Sequence, residues 1–334
     1  MNEKFKKMLP IRLKKAINKV FNTYMLLSYY YGDFNRYSKS AYFMNEKSNK
    51  NKLRAKITIN YHSIEKGLSH KNPRLGFGQQ PMNLLLKSLS EYKKLGYSTQ
   101  DIRYQTGIST IQEYIELHKE NNFEVSELEN KFNQLRVTER YNNGGALSYK
   151  KEKILEKRLS NFAILAKNRV SVREFSEDPV NIDDINEALD IAMKTPSVCN
   201  RQPWKVFVIK NKETKNKVLN IQGGFRGFGE NVDTLLVLCS DNYNLSGPTE
   251  RNQGFIDTGM FSMSLAYALE YKGLATCFLN AALNKKKDKA IRTLLNIQDN
   301  HNIVLFIAVG NYPDYFKAPK SQRDDFKEIV EYVM

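Results

Sequence analysis

The chain of 334 residues is long enough for one large domain or two ordinary ones, and 41% hydrophobic with 26% charged residues excludes wholesale disorder. A mean hydropathy of −0.56 goes with apolar runs well short of the ~18–20 residues that span a bilayer. The net charge of +16 is unevenly placed: residues 1–60 hold 14 Lys/Arg against 3 Asp/Glu, while residues 161–334 hold 22 against 21, a partition that a uniformly basic nucleic-acid binder would not show.

The N-terminal Met1-Asn2-Glu3-Lys4 leads into Lys/Leu-rich sequence without an apolar h-region, so no secretory signal is expected. Ile11, Leu13, Ile17, Val20, Phe21 and Tyr24 recur at helical spacing with Lys14, Lys15 and Lys19 between them, which predicts a basic amphipathic helix over 11–31. Such a helix suits either packing on the body with lysines in solvent or contact with an anionic membrane face. Residues 35–58 are polar and cationic and read as an exposed connector. Helical patterns resume at 82–95 and 109–119, and Asn142-Asn143-Gly144-Gly145 predicts a turn before a charged helix at 150–166.

The second half reads differently. Ile182, Ile185, Ala188, Leu189, Ala192 and Met193 predict a helix capped near Asn181 and stopped before Pro196. The runs 206–209, 234–239 and 302–309 are short, apolar and rich in branched residues, as buried strands are. Residues 257–272 are apolar on nearly every face, which predicts a helix buried in a core or an interface, ended by Gly273. Helices alternating with a few strands give an α+β domain at 160–334, preceded by a basic, mostly helical extension at 1–150.

Two segments carry chemistry. In Arg169-Val170-Ser171-Val172-Arg173-Glu174-Phe175, an extended backbone sets Arg169, Ser171 and Arg173 on one face, a donor set suited to a phosphate or the oxygens of a polar ring. The alternative is a solvated edge strand. In Pro196-Ser197-Val198-Cys199-Asn200-Arg201-Gln202-Pro203-Trp204, two prolines stiffen a loop that offers Ser197, Asn200 and Gln202 for hydrogen bonding. The alternative is a rigid connector with Trp204 as a core plug. Cys199, Cys239 and Cys277 form no CxxC pair, which argues against disulfides and zinc ribbons and for a reducing cytoplasm.

In this order, one helix apart, the two segments resemble the FMN-dependent nitroreductase family. So do Asp257-Thr258-Gly259 opening the apolar helix, Lys272-Gly273-Leu274-Ala275-Thr276-Cys277 closing it, and Gly310-Asn311-Tyr312-Pro313 before Ala318-Pro319-Lys320-Ser321-Gln322-Arg323. The resemblance implies a nitroreductase-type fold, a central, mostly antiparallel sheet flanked by helices and assembled as a homodimer with flavin in the interface. It implies that Arg169, Ser171 and Arg173 hold FMN, and that Lys320 and Arg323 close on its phosphate. By the same resemblance, Pro196, Ser197 and Asn200 reach the ring from the partner subunit, and the Leu279-Asn280 segment presents a backbone donor to it. NADH or NADPH would supply electrons to a small organic acceptor in a ping-pong cycle. The alternatives are a flavin-dependent dehydrogenase of a sugar- or peptide-linked substrate, and a non-catalytic binding protein docking on a membrane or acidic polymer.

Glycine-rich Gly223-Gly224-Phe225-Arg226-Gly227-Phe228-Gly229 precedes a strand instead of following one, which fails the context of a dinucleotide-binding turn. Tyr61-His62-Ser63-Ile64-Glu65-Lys66-Gly67-Leu68 with Pro73 to Gly78 resembles a segment of longer nitroreductase-like proteins of bacterial surface-polysaccharide gene sets. His62 and Lys66 are expected as substrate contacts on that basis. His62 and Glu65, at i and i+3, also suit a structural pair, and no ligand spacing among the four histidines supports a metal.

Overall fold

The computed structural model describes residues 10–40, 49–135, 140–225, 227–229, 231–245 and 248–334. Part of the expected connector (41–48) and Arg226 of the glycine-rich loop lie outside them. The chain opens with α1 (Ile11–Ser40), then α2 (Lys50–Leu68), α3 (Gln79–Lys94), α4 (Ile102–Glu120) and α5 (Ser126–Asn133). Residues 50–58 are therefore not connector. Leu53, Ile57, Tyr61, Ile64 and Leu68 recur every three or four residues and are buried, so their apolar stripe outweighs the surrounding lysines. They pack with Leu85, Leu89, Tyr104, Ile108 and Ile111 of α3 and α4 into a self-contained helical core.

Strand β1 (Ala146–Lys150) follows, then α6 (Lys151–Arg158) and α7 (Phe162–Asn168). The single helix expected at 150–166 is broken because the Asn161 side chain accepts from Ile164 N–H (3.2 Å) and starts a new helix. After α8 (Ile182–Ala192) come β2 (Trp204–Ile209), α9 (Lys212–Gln222), β3 (Thr234–Asp241), α10 (Gln253–Tyr271), β4 (Leu274–Asn280), α11 (Lys285–Leu295), β5 (His301–Asn311) and β6 (Tyr315–Pro319). The main sheet runs β2-β3-β5-β4 and is antiparallel at every pairing. Side chains alternate across it: Leu235, Val237 and Cys239 of β3 enter one core, Leu236 and Leu238 the other, against α8 and α10. Both faces are covered, which is why β3 reads as an unbroken apolar run. This is the α+β, mostly antiparallel nitroreductase-type fold with a helical N-terminal region that the resemblance implies.

The N-terminal helices are tied to the sheet-bearing body by β1, which pairs antiparallel with β6, and by charge. Arg103 Nε and Nη2 grip both carboxylate oxygens of Asp324 (3.1 and 2.6 Å), while Arg54 reaches Asp324 (3.5 Å) and Asp101 (3.3 Å). Gly145 approaches so closely at φ +102 that a Cβ there would overlap the Glu113 carboxylate.

The hydrogen bonds from Arg103 hold the Asp324 carboxyl below its ordinary value of 3.8, so this group adds stability above that pH and loses it as pH falls through the lowered value. Asp324→Asn should cost about 1–3 kcal/mol at neutral pH, measured by urea unfolding, and the gap to wild type should close below about pH 4. A gap that persists in acid would place the cost elsewhere than in this carboxylate.

Candidate functional site

The edge strand β4 organises the first candidate segment. Ser171 bridges Thr276 in parallel sense and the Val172 N–H donates to the Thr276 carbonyl (2.9 Å). Val170 and Val172 pack in the core, so the period-two alternation leaves Arg169, Ser171 and Arg173 together on the other face. Leu279 and Asn280 end the same strand, about 10 Å further along at ~3.3 Å per residue.

The charges around this edge are unbalanced. Arg169 Nη1 and Thr276 Oγ1 are buried without a hydrogen-bond partner. Glu270 accepts from the Tyr312 hydroxyl (2.7 Å). Burial raises the Glu270 carboxyl above its ordinary value, against the pull of the nearby Arg169 and the Tyr312 hydrogen bond. From the N-terminal helices, α2 adds Lys66, whose ammonium is drawn below its ordinary value by burial and by the adjacent Arg173. The Lys66 carbonyl accepts from the Ser69 hydroxyl (2.8 Å), but among the described residues its ammonium has no hydrogen-bond or ion-pair partner. The Cys277 thiol is pushed up by burial, against the pull of Arg173, Arg169 and Lys66, so all three cations lie near Cys277 of β4. Three cations faced by one buried carboxylate, Glu270 beside Arg169, leave an excess of positive charge that suits an anion.

Sequence reasoning passed over His70. Burial lowers its pKa, Glu174 raises it and Arg173 lowers it again, while its ring stacks on Phe228 (3.7 Å between centroids). The Lys71 N–H donates to Glu174 Oε1 (2.6 Å), fixing the end of α2 against residues 173–174. His62 and Lys66 share one face of α2, whereas His70 lies two residues past its end at Leu68, so its place beside Phe228 is tertiary and has no helical signature in the sequence. His62 Nδ1 lies 3.2 Å from Glu65 Oε2, and the wholly buried Glu65 also accepts from Gly145 N–H (3.3 Å), so the two form the structural pair described above.

The second segment is a bent loop. Cys199, Asn200 and Gln202 all have positive φ, of 48°, 54° and 47°, where side chains other than glycine are strained. Ser197 Oγ accepts from Gln202 N–H (2.9 Å) and the buried Asp257 accepts from Val198 N–H (3.2 Å). Trp204 stacks on Phe261 (4.7 Å). Three strained residues in four, held by side-chain bonds, are typical of loops that meet a ligand.

A sequence model of the nitroreductase family matches residues 166–225 and 220–311. A protein of Archaeoglobus fulgidus, named as a candidate NADH dehydrogenase/NAD(P)H nitroreductase, is 26% identical over 154 residues, 45% of this chain and 86% of its own length. The iodotyrosine deiodinase of Thermotoga neapolitana is 26% identical over 181 residues, covering 50% of this chain and 95% of the relative. Residues 166–311 of this chain belong to the nitroreductase family. Among solved structures, an FMN-dependent nitroreductase of Clostridium difficile aligns with a TM-score of 0.42 at 19% identity, over 50% of this chain and 96% of that one. The family match begins at residue 166, and these relatives are nearly spanned by half of the present chain.

Within this nitroreductase body the expected residues fall into two groups that one chain does not bring together. Asp257, which holds the 196–202 loop, and Glu270, which lies beside Arg169, are more than three turns apart on α10, about 20 Å along its axis. Lys320 is engaged elsewhere: its ammonium donates to the carbonyls of Asn142 (3.1 Å) and Gly144 (2.8 Å), and Arg323 turns back to the Ser321 carbonyl. A flavin mononucleotide offers a phosphate dianion and pyrimidine carbonyls. The orphaned Arg169 guanidinium, with Ser171, Arg173 and Lys66, is a donor set that fits it. Among the described residues no cluster of three or more His, Cys, Asp or Glu side chains could hold a metal.

If Lys66 is held among like charges, removing it relieves repulsion. Lys66→Met should raise the melting temperature of ligand-free protein by about 1–4 °C in a thermal scan. A fall would show that Lys66 is anchored by its neighbours.

Proposed function

We propose that the protein is an FMN-dependent oxidoreductase passing electrons from NADH or NADPH to a small organic acceptor. In this reading residues 160–334 form the flavin-binding body and residues 1–150 an extension that supplies one wall. The observation that supports it is the buried, unpartnered Arg169 guanidinium beside Arg173 and Lys66 on the edge of β4. Flavin, when bound, supplies the two-electron redox chemistry that no side chain here provides.

The residues divide the remaining work. Arg169 and Ser171 hold the phosphate and ribityl oxygens, while Arg173 and Lys66 place positive charge beside the pyrimidine edge, where it favours the electron-rich form. Leu279 and Asn280 present backbone groups from the end of β4. His62, paired with Glu65, and Lys66 face the acceptor. Lys320 and Arg323 lie on the phosphate side, Lys320 first releasing its carbonyl partners. The strained loop carrying Pro196, Ser197 and Asn200 serves the site of a second subunit. The 20 Å between the two residue groups supports this division, as does the exposed face of α10 carrying Ile256, Met260 and Tyr271. The protein is thus a homodimer with two shared sites. Three free cysteines, Cys199 exposed, suit a reducing cytoplasm.

Purified protein should be yellow, should bleach with NADH or NADPH, and should regain colour when an acceptor is added. Arg173→Ala should weaken FMN binding by roughly 10–100-fold in fluorescence titration, for the loss of about 1.5–3 kcal/mol of charge-assisted contact. Ser171→Ala, which removes only a neutral hydrogen bond, should lose less. An Arg173→Ala protein that titrates as tightly as wild type would remove the assignment.

A further inference from the structure

The helix α1 carries a feature that neither electron transfer nor the fold of one chain uses. Leu13, Ile17, Val20, Tyr24, Leu27, Tyr31 and Phe34 alternate at spacings of four and three over three heptads, the a and d positions of a coiled coil. Leu13, Val20, Tyr24, Leu27, Tyr31 and Phe34 are 46–71% exposed, and Ile17 is half-buried. A 30-residue helix with a continuous seam in water leaves far more contiguous apolar surface than a folded chain normally shows.

The opposite side of α1 is already spoken for. Asn18, Asn22 and Leu26, at b, f and c, face Leu245 and Pro248 across a groove, and the Tyr29 ring lies under the Arg251 guanidinium (5.0 Å). Lys15 and Lys19 line the same groove, and Thr23 and Tyr30, at g, form its edge next to the seam. Lys15 and Lys19 therefore do not flank the apolar seam, as they would on a helix lying in an anionic headgroup layer, and only Lys14 stands beside it. The e and g positions beside the seam hold Lys14, Ala16, Phe21, Thr23, Ser28 and Tyr30, a single charge among six. A seam so bordered meets no like-charge repulsion from its own copy, despite the basic character of the segment.

We propose that α1 is a homotypic coiled-coil arm that pairs with α1 of a second copy of this chain through the Leu13–Phe34 seam. The inference stands apart from the flavin assignment, because none of its residues belongs to that site. Pairing would bury the seam and join two N-terminal extensions, an assembly contact additional to any formed by α10.

Tyr24 sits midway along the stripe, so it meets its own copy whether the helices run parallel or antiparallel. Full-length Cys199→Ser protein carrying Tyr24→Cys should therefore run mostly as a disulfide-linked doublet after mild oxidation, at concentrations where Cys199→Ser protein carrying Asn22→Cys stays single. Val20→Glu with Leu27→Glu should abolish the doublet in the Tyr24→Cys background and leave the melting curve of the body in place. Equal cross-linking of the two cysteine variants, or none in either, would overturn the proposal. So would protein that stays single but sediments with phosphatidylserine vesicles, which would assign the face to a membrane.

Discussion

Helix α2 has to satisfy two surfaces at once, and the rest of the molecule depends on how it does so. Its inner stripe from Leu53 to Leu68 is buried against α3 and α4, while Lys66, one residue after the buried Glu65, is turned toward Arg173 of the other half. A lysine among arginines is unfavourable without an anion, so something must hold the helix there. The hold is distributed: Arg103 and Arg54 on Asp324, Glu65 on the Gly145 N–H, the Lys71 N–H on Glu174, and the ladder between β1 and β6. Stability stored in these contacts keeps Lys66 near Arg173 despite their like charge, which is the usual trade between stability and a preorganised arrangement.

That arrangement explains why a family fold found in chains about half this size carries so large an addition here. The extension is not appended at a distance. It contributes β1, which forms a two-stranded sheet with β6, and it sets Lys66 and His70 near Arg173. The acceptor would then meet a surface built from both halves, which can restrict what enters without altering the redox chemistry beneath.

Much of this was legible in the residues. The unbroken apolar run of β3 signals a strand covered on both faces, and the alternation Arg169, Ser171, Arg173 places three donors on one face. The all-round apolar α10 is buried on one side only in this chain, with Ile256, Met260 and Tyr271 exposed on the other. Other features were hidden for physical reasons. β1 and β6 pair across more than 160 residues, and five-residue strands with mixed patterning declare themselves only through that partner. The lysines and asparagines around Leu53 and Ile57 masked the start of α2, because polar composition outweighs two buried residues in a short window. The meeting of Lys66 with Arg173 is tertiary and has no local signature. The charge excess near the N-terminus drew attention away from the heptad spacing of α1, although both lie in the same residues.

The central claim is that one pocket, assembled from both halves of the chain, holds a flavin by its anionic and carbonyl groups. A crystal structure of the protein with FMN bound tests it most directly. The account predicts Lys66 and Arg173 nitrogens within hydrogen-bond distance of one flavin, whose ring is covered by the Pro196–Gln202 loop of a second chain. A flavin bound away from the edge of β4, or Lys66 pointing into solvent beside a fully occupied site, would contradict it.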